Sequence, residues 1–368
     1  MRWGLGQDMV IKMVLMIILT VLIYGVICFY LWRNGKAWLS VSPFRRFKKT
    51  YTVLFLLLSV SMLIGMIPHL GIFKWIGGYW FIIVGYSLLL LPIFNLAFYL
   101  LKKKGLMVMG IIYFLFIAGV IAYGSYQAFS PVVRYDHVEL NKEAGRDSLK
   151  ILMASDTHLS PIVGSGHLEK LARIVEEEKP DIVLIPGDII DDQIETFNEE
   201  NMIDIFSRME PPLGVYMSPG NHDYYGDDLD ELEEELEDGG IHMLMDETKE
   251  IEGLYLVGRK DLTDDKRSSI KDLVEGLDQS KPVIMLDHTP VELSQAEASG
   301  VDILLSGHTH RGQVFPGNLM TDWIYENDWG HLKKGNLHSF VSSGFGTWGP
   351  PLRIGSRSEV WVINVNFN

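Results

Sequence analysis

Apolar positions follow two different patterns along this chain of 368 residues. In the first third they form four nearly charge-free stretches, at about 13–32, 51–68, 76–101 and 106–126. Each approaches the ~20 residues that a helix needs to cross a hydrocarbon core of about 30 Å. The first is long and no small-residue cleavage site follows it, so it reads as a retained helix rather than a signal peptide. Trp3, Trp32, Tyr51, Trp75, Tyr79 and Trp80 fall near the stretch ends, where interfacial aromatics anchor helices to lipid headgroups. Pro92 and Asn95 interrupt the third stretch and raise the question of a ligand pathway. No stretch carries an internal acid or base, which argues against a transporter.

Beyond residue 149 short β-branched or apolar runs alternate with amphipathic segments. Runs at 149–155, 181–186, 214–218, 254–257, 282–286, 301–306, 340–343 and 359–365 predict strands. Leu168, Leu171, Ile174 and Val175 make one helical face between the first two. The acidic segment 227–238 predicts a short helix with Leu229, Leu232 and Leu236 inward, stopped by Gly239-Gly240. The chain thus divides into a membrane region (1–130), a polar connector (131–148) and a soluble α/β domain (149–368).

Charge sharpens the division. Residues 1–130 hold 12 Lys/Arg and one acid, Asp8; the remaining 238 hold 20 Lys/Arg and 46 Asp/Glu, for a total of −15. The acidic domain lacks the basic footprint that nucleic acid requires. Within the membrane region the first loop carries Arg33, Lys36, Arg45, Arg46, Lys48 and Lys49, and the third Lys102, Lys103 and Lys104. The N-terminus and second loop have only Arg2, Lys12 and Lys74. The excess of basic residues places loops one and three in the cytoplasm. Four spans then put both termini, and the soluble domain, outside the cytoplasm, on a multi-pass protein of the cell (inner) membrane. Cys28 is the single cysteine, so neither an internal disulfide nor a thiolate metal site is available.

The predicted strands end in clusters of Asp, Asn and His. They deliver Asp156 and His158; Gly187, Asp188 and Asp191; Gly220-Asn221-His222-Asp223; His288; and Gly307-His308-Thr309-His310. Open α/β sheets build their sites outside the carboxyl ends of strands. Asp156, His158, Asp188, Asn221, His288, His308 and His310 supply seven N/O donors, more than the three protein ligands typical of one catalytic zinc. They suit two divalent ions sharing a carboxylate, and the absence of sulfur favours Mn, Fe or Zn. Asp191 reads as a residue that orients a ligand by hydrogen bond. Asp192 and Asp287 read as solvated or capping. Tyr224, Tyr225, Trp348 and Arg353 remain open between lining a substrate mouth and packing. His69, His137, His167, His242, His331 and His338 lack ligand spacing.

In order, Asp-x-His, Gly-Asp-x-x-Asp, Gly-Asn-His-Asp, a lone His and Gly-His-x-His resemble the calcineurin-like metallophosphoesterase superfamily, over about 149–368. The tail Ser342-Ser343-Gly344-Phe345-Gly346, with Trp348-Gly349-Pro350-Pro351-Leu352-Arg353, is similar to its bacterial membrane-associated branch. The resemblance implies a four-layer β-sandwich flanked by helices. It implies one metal on Asp156, His158, Asp188 and His310 and a second on Asp188, Asn221, His288 and His308. It also implies that His222, oriented by Asp223, protonates the leaving group while a metal-bridged hydroxide attacks phosphorus. Arg311 follows the last motif where related sequences commonly have Gly, and is a candidate substrate contact.

These readings point to an extracytoplasmic hydrolase of phosphate esters, acting on a diester or pyrophosphate of a lipid or cell-envelope component. Membrane lipids and a phosphorylated substrate are the expected partners. One alternative is UDP-diacylglucosamine pyrophosphatase activity, whose cytoplasmic substrate conflicts with the orientation. Another is a membrane sensor or scaffold with an inactive domain, which the intact donor set disfavours.

Overall fold

The computed structural model describes residues 7–65 and 71–368; Arg2, Trp3, Pro68 and His69 lie outside the described residues. The chain forms two compact units that meet in sequence between Ala122 and Tyr123.

In the first unit the apolar stretches are helices α1 (Gln7–Val41), α2 (Lys48–Ile64), α3 (Gly71–Leu100) and α4 (Leu106–Phe129), the last running on into the second unit. All four are long and apolar enough to cross a membrane. Their apolar side chains largely face outward, as with Leu22 (62 % exposed) and Val26 (69 % exposed). This inversion of the usual soluble arrangement suits lipid. Helix α1 continues past the predicted end at Trp32 to Val41. Its polar residues Arg33, Asn34 and Lys36 cost a helix little, and Asn34 donates its amide back to Tyr30 O at 2.9 Å. Inside, Tyr24 donates to Ser59 O (2.7 Å) and receives from Trp80 Nε1 (2.7 Å), so these polar groups are satisfied within protein. Asn95 donates to Tyr30 Oη at 2.8 Å, which makes it a tie between helices.

The second unit holds two six-stranded sheets among the described residues. The first comprises β1 (Val132–Leu140), β2 (Ser148–Met153), β3 (Ile182–Pro186), β4 (Val215–Ser218), β5 (His242–Met243) and, from the end of the chain, β12 (Glu359–Phe367). Its spatial order is β1-β12-β2-β3-β4-β5, with β2 to β5 parallel and β12 antiparallel to β2. The second comprises β6 (Glu247–Ile251), β7 (Leu254–Gly258), β8 (Val283–Leu286), β9 (Ile303–Ser306), β10 (Gly330–Lys334) and β11 (Leu337–Val341), in order β10-β11-β9-β8-β7-β6.

Alternation along each strand divides its residues between two faces. Ile151 and Met153, Ile182 and Leu184, Ile284 and Leu286, and Ile303 and Leu305 meet in one buried cluster between the sheets. Val283, Met285 and Leu304, on the other face of the second sheet, pack with Ile270, Val274, Leu293 and Ala296 of two short helices. Helix α5 (Ser165–Glu178) buries Leu168, Leu171 and Val175 of the predicted face, while Ile174 is half-buried. The result is the expected sandwich of two sheets flanked by helices.

Residues 132–140, expected within the connector, are instead strand β1, paired in parallel with β12 from Val132–Glu359 to Leu140–Phe367. It is an edge strand with a largely polar sequence and only Val138 and Leu140 buried. Strands β6 and β10 escape sequence reading for the same reason: both are charged edges, the usual guard against edge-to-edge association.

Candidate metal centre

The parallel strands β2, β3 and β4 end side by side, and the segments beyond them remain tied. Asp156 N donates to Gly187 O (3.0 Å), and His158 N to Asp188 O (3.0 Å). Five of the seven donor residues adopt left-handed backbone: Asp156 (φ 52°), His158 (43°), Asp188 (53°), His308 (68°) and His310 (48°). Such conformations cost on the order of 1–3 kcal/mol each for residues other than glycine, and they gather where the surrounding structure holds side chains for function. Two motif glycines permit the crowding. A Cβ on Gly220 would lie 2.3 Å from Asp188 Oδ1, and one on Gly307 would lie 2.1 Å from Asp156 Oδ2.

The carboxylates are fully buried and partly tied to backbone. Asp156 Oδ1 accepts from His308 N (2.8 Å) and Oδ2 from Ser155 Oγ (2.6 Å). Asp188 Oδ1 accepts from His222 N at 2.9 Å. Asp188 Oδ2 is then left between two imidazoles, 3.1 Å from His288 Nε2 and 3.6 Å from His158 Nε2. On one side of it, His158 Nε2 and His310 Nε2 face each other at 3.0 Å, with His310 Nε2 3.2 Å from Asp156 Oδ1. On the other, His308 Nδ1 lies 2.9 Å from Asn221 Oδ1, whose Nδ2 donates to Tyr225 Oη at 3.0 Å. His288 directs Nδ1 at Pro186 O (2.9 Å), which fixes the tautomer. Among the described residues its buried Nε2 has no hydrogen-bond partner.

Burial opposes ionisation of Asp156 and Asp188. The imidazoles of His310, His288 and His158 outweigh it, and both carboxyls sit well below the usual carboxylate range. Burial, aided by the nearby His158 and Arg353, outweighs the Asp156 carboxylate and lowers His310 to about 4, so this ring is a neutral donor at physiological pH. Buried, ionised carboxylates beside imidazoles that give up their protons to a metal are the donors divalent cations require. Asp156, His158, Asp188 and His310 form one group of mutually close donors that can hold an ion. His288, His308 and Asn221 extend the constellation across Asp188 Oδ2. The donor set fits divalent-metal binding.

His222 lies beside this cluster, its ring 4.7 Å from that of His158 and 16 % of its side chain exposed. The expected Asp223 partner is not the one observed. Successive residues of the helix Asn221–Tyr225 project in different directions. Asp223 turns into the protein, where it accepts from Ile189 N (2.9 Å), Ile190 N (3.0 Å) and Gly220 N (2.8 Å). It therefore ties the loop after β3 to the loop after β4, while burial and the nearby Asp188 charge push its carboxyl up to about 7. His222 Nδ1 instead meets Asp192 Oδ1 at 2.6 Å, with Asp191 Oδ1 at 3.5 Å. Burial disfavours the imidazolium, but the Asp192 hydrogen bond and the Asp188 and Asp191 charges prevail and raise it to about 9. Asp191 Oδ1 is also 3.5 Å from His158 Nδ1, as a residue orienting that ring would be.

Arg311 stacks its guanidinium over Trp329, 4.0 Å from the ring centroid. Arg353 is wholly buried, not at a solvent-facing mouth. It donates to Ser343 O (2.5 Å), Gly346 O (2.5 Å) and Ser356 Oγ (3.1 Å), and its Nη2 lies 3.2 Å from His310 Nδ1. Asp287 is likewise buried and not solvated, ion-paired with Arg259 (2.9 Å) and Arg267 (3.5 Å) behind His288. His167 is buried against Phe345, and His331 pairs with His338; both engagements lie outside the donor set. Sequence reading missed the roles of Asp192 and Arg353. The doubled Asp191-Asp192 and an arginine inside an apolar, Pro-rich tail were the available signals.

Comparison with known proteins agrees with this geometry. The family profile described as calcineurin-like phosphoesterase matches residues 149–312. An uncharacterized metallophosphoesterase of Aquifex aeolicus is 32 % identical over 253 residues, 66 % of this chain and 95 % of that protein. A transmembrane protein with metallophosphoesterase domain from Danio rerio is 32 % identical over 270 residues, 68 % of this chain and 61 % of its own length. An uncharacterized metallophosphoesterase of Helicobacter pylori is 29 % identical over 272 residues, 72 % of each chain.

Proposed function

Because this chain belongs to the calcineurin-like metallophosphoesterase family, we propose that it hydrolyses a phosphodiester or pyrophosphate bond in a lipid or cell-envelope component, outside the cytoplasm. The observation that carries the reading is Asp188 Oδ2, poised between His158 and His288 with its other oxygen already tied. We assign Asp156, His158, Asp188 and His310 to one divalent ion and Asp188, Asn221, His288 and His308 to a second, with Mn, Fe or Zn as the candidates. When bound, such ions supply Lewis acidity toward phosphoryl oxygens and make water a stronger acid.

The chain's own residues do the rest. His222, charged and partly exposed, donates its proton to the departing oxygen. Asp192 and Asp191 hold that ring in place and favour its charged form. Asp223, through three backbone N–H groups, keeps the loops bearing Asp188 and Asn221 in register. The four apolar helices support the lipid preference by confining the chain to a bilayer, which raises the encounter rate with lipid headgroups. The basic loops support the orientation.

The test is turnover by the purified full chain, supplied with Mn, Fe or Zn, on model monoesters, diesters and pyrophosphates. Diester or pyrophosphate hydrolysis that disappears in Asp188→Asn is expected; no turnover of any of them sinks the reading. A topology reporter fused after Asn368 is expected to be active outside the cytoplasm, and a cytoplasmic signal reverses the orientation.

A further inference from the structure

The eight-residue helix Gly317–Ile324 has none of its side chains buried. Leu319 is 59 % exposed, Met320 63 %, Trp323 87 % and Ile324 58 %. Their spacing places these four on one helical face. A tryptophan this exposed within an apolar cluster marks an interaction surface rather than ordinary surface scatter.

The helix is joined firmly to the donor cluster at both ends. It begins seven residues after His310, and a Cβ on Gly317 would lie 2.5 Å from Gly312 O, so its first turn sits directly against the motif loop. Just past its last turn the Tyr325 ring lies 6.2 Å from that of His308. Thr309 Oγ1, between His308 and His310, donates to Asp328 O at 2.6 Å, and Thr321 Oγ1 donates to Asp328 Oδ2 at 2.8 Å. Gln313 Nε2 donates to Trp348 O at 2.9 Å, and Trp348 is 48 % exposed with its ring 6.3 Å from that of His222. Any surface that covers this helix is therefore brought to the rim of the site.

We infer that the helix Gly317–Ile324 dips into the headgroup–acyl boundary of the bilayer and presents the donor cluster to phosphoesters of lipids lying in that boundary. The occupant is a membrane on three grounds. The same chain carries four helices fit to cross one, so a bilayer is always within reach at high effective concentration. The exposed face combines tryptophan with Leu, Met and Ile, the chemistry of interfacial helices. Residues 317–329 contain Asp322, Glu326 and Asp328 but no Lys or Arg, so the contact is apolar insertion and not attraction to anionic lipid. The membrane contact stands by itself; the lipid-substrate half rests on the phosphoesterase reading above.

The experiment uses the full chain in lipid nanodiscs, with Cys28→Ala as background and a nitroxide attached through Trp323→Cys. Lys271→Cys, at an exposed position of the short helix Ile270–Val274 packed on the second sheet, serves as the aqueous control. The label at 323 is expected to be relaxed by oxygen rather than by a water-soluble nickel chelate, equally at low and high salt. The label at 271 is expected to show the reverse. Equal aqueous access at both positions overturns the inference, and so does dipolar broadening between labels of two chains, which would assign the face to self-association. In parallel, Leu319→Ser/Trp323→Ser is expected to lower kcat/KM for a phosphodiester lipid in vesicles by on the order of tenfold or more, leaving a soluble nitrophenyl diester unaffected. Equal loss on both substrates refutes the lipid-presenting role. No turnover of either by the unsubstituted protein refutes the phosphoesterase reading, while the nitroxide result still decides the membrane contact.

Discussion

Replacing Arg353 by Met removes a guanidinium that no solvent reaches. Two opposing terms decide the sign. Burial depresses this arginine from 12.5 to about 10, a cost of about 3 kcal/mol for keeping the charge inside. Against it stand charge-assisted hydrogen bonds to Ser343 O, Gly346 O and Ser356 Oγ, each contributing about 1.5–3 kcal/mol. Three such bonds outweigh the cost, leaving a net stabilisation of about 3 kcal/mol. Met fills the volume but leaves two buried carbonyls without their donors. The soluble unit should lose about 6–12 °C in Tm, at about 2–4 °C per kcal/mol for a domain of this size. Scanning fluorimetry of the full chain, followed by near-UV circular dichroism, measures it. Arg353→Lys should recover less than half of the loss, because an ammonium cannot span the same three acceptors. A Met variant within 2 °C of the parent would refute the reasoning.

Other outcomes follow from the same geometry. Gly220→Ala drives a methyl to 2.3 Å from Asp188 Oδ1, so Mn affinity by isothermal titration should fall at least about tenfold with the far-UV spectrum unchanged; unchanged affinity would show that the loops relax freely. His222→Ala should slow esters with poor leaving groups by about 10²–10⁴-fold, yet barely change nitrophenyl esters, whose leaving group needs no proton. A uniform loss across leaving groups would remove the proton-donor role. His167 is lowered by burial from 6.5 to about 4, so between these values the unfolded chain binds the proton and the folded chain does not. Its contribution is fully present above 6.5 and is lost as pH falls toward 4, by about 3 kcal/mol. Urea titrations of the parent and His167→Gln should diverge across that window, and parallel pH profiles would contradict the assignment.

The sequence made the membrane helices legible because lipid imposes a length and a composition that little else imitates. The eight predicted strands were legible because each is buried on at least one face and so reads as an apolar run. Strand β1 was not, since an edge strand bearing Arg134, Asp136, His137 and Glu139 reads as a connector. The donors Asp156, Asp188, His288 and His310 stood out through motif order, and their convergence through their placement at strand ends. Which atoms meet was not legible, because that depends on left-handed backbone at five positions and on lateral bonds between loops distant in sequence. Asp223 illustrates the limit most directly. The family resemblance implied that Asp223 orients His222, but a helical turn points the two residues apart, and Asp192, from a loop thirty residues earlier, takes the place. The exposed helix Gly317–Ile324 gave no signal, as its composition equally suits a buried one.

The central claim is that one carboxylate, Asp188, serves two ions. The most direct measurement is metal content by mass spectrometry together with electron paramagnetic resonance of the full chain loaded with Mn. Two Mn per chain with a spin-coupled spectrum, falling to one or fewer uncoupled ions in Asp188→Asn, is the predicted result. A single ion per chain, or two magnetically isolated ions that survive the substitution, would contradict it.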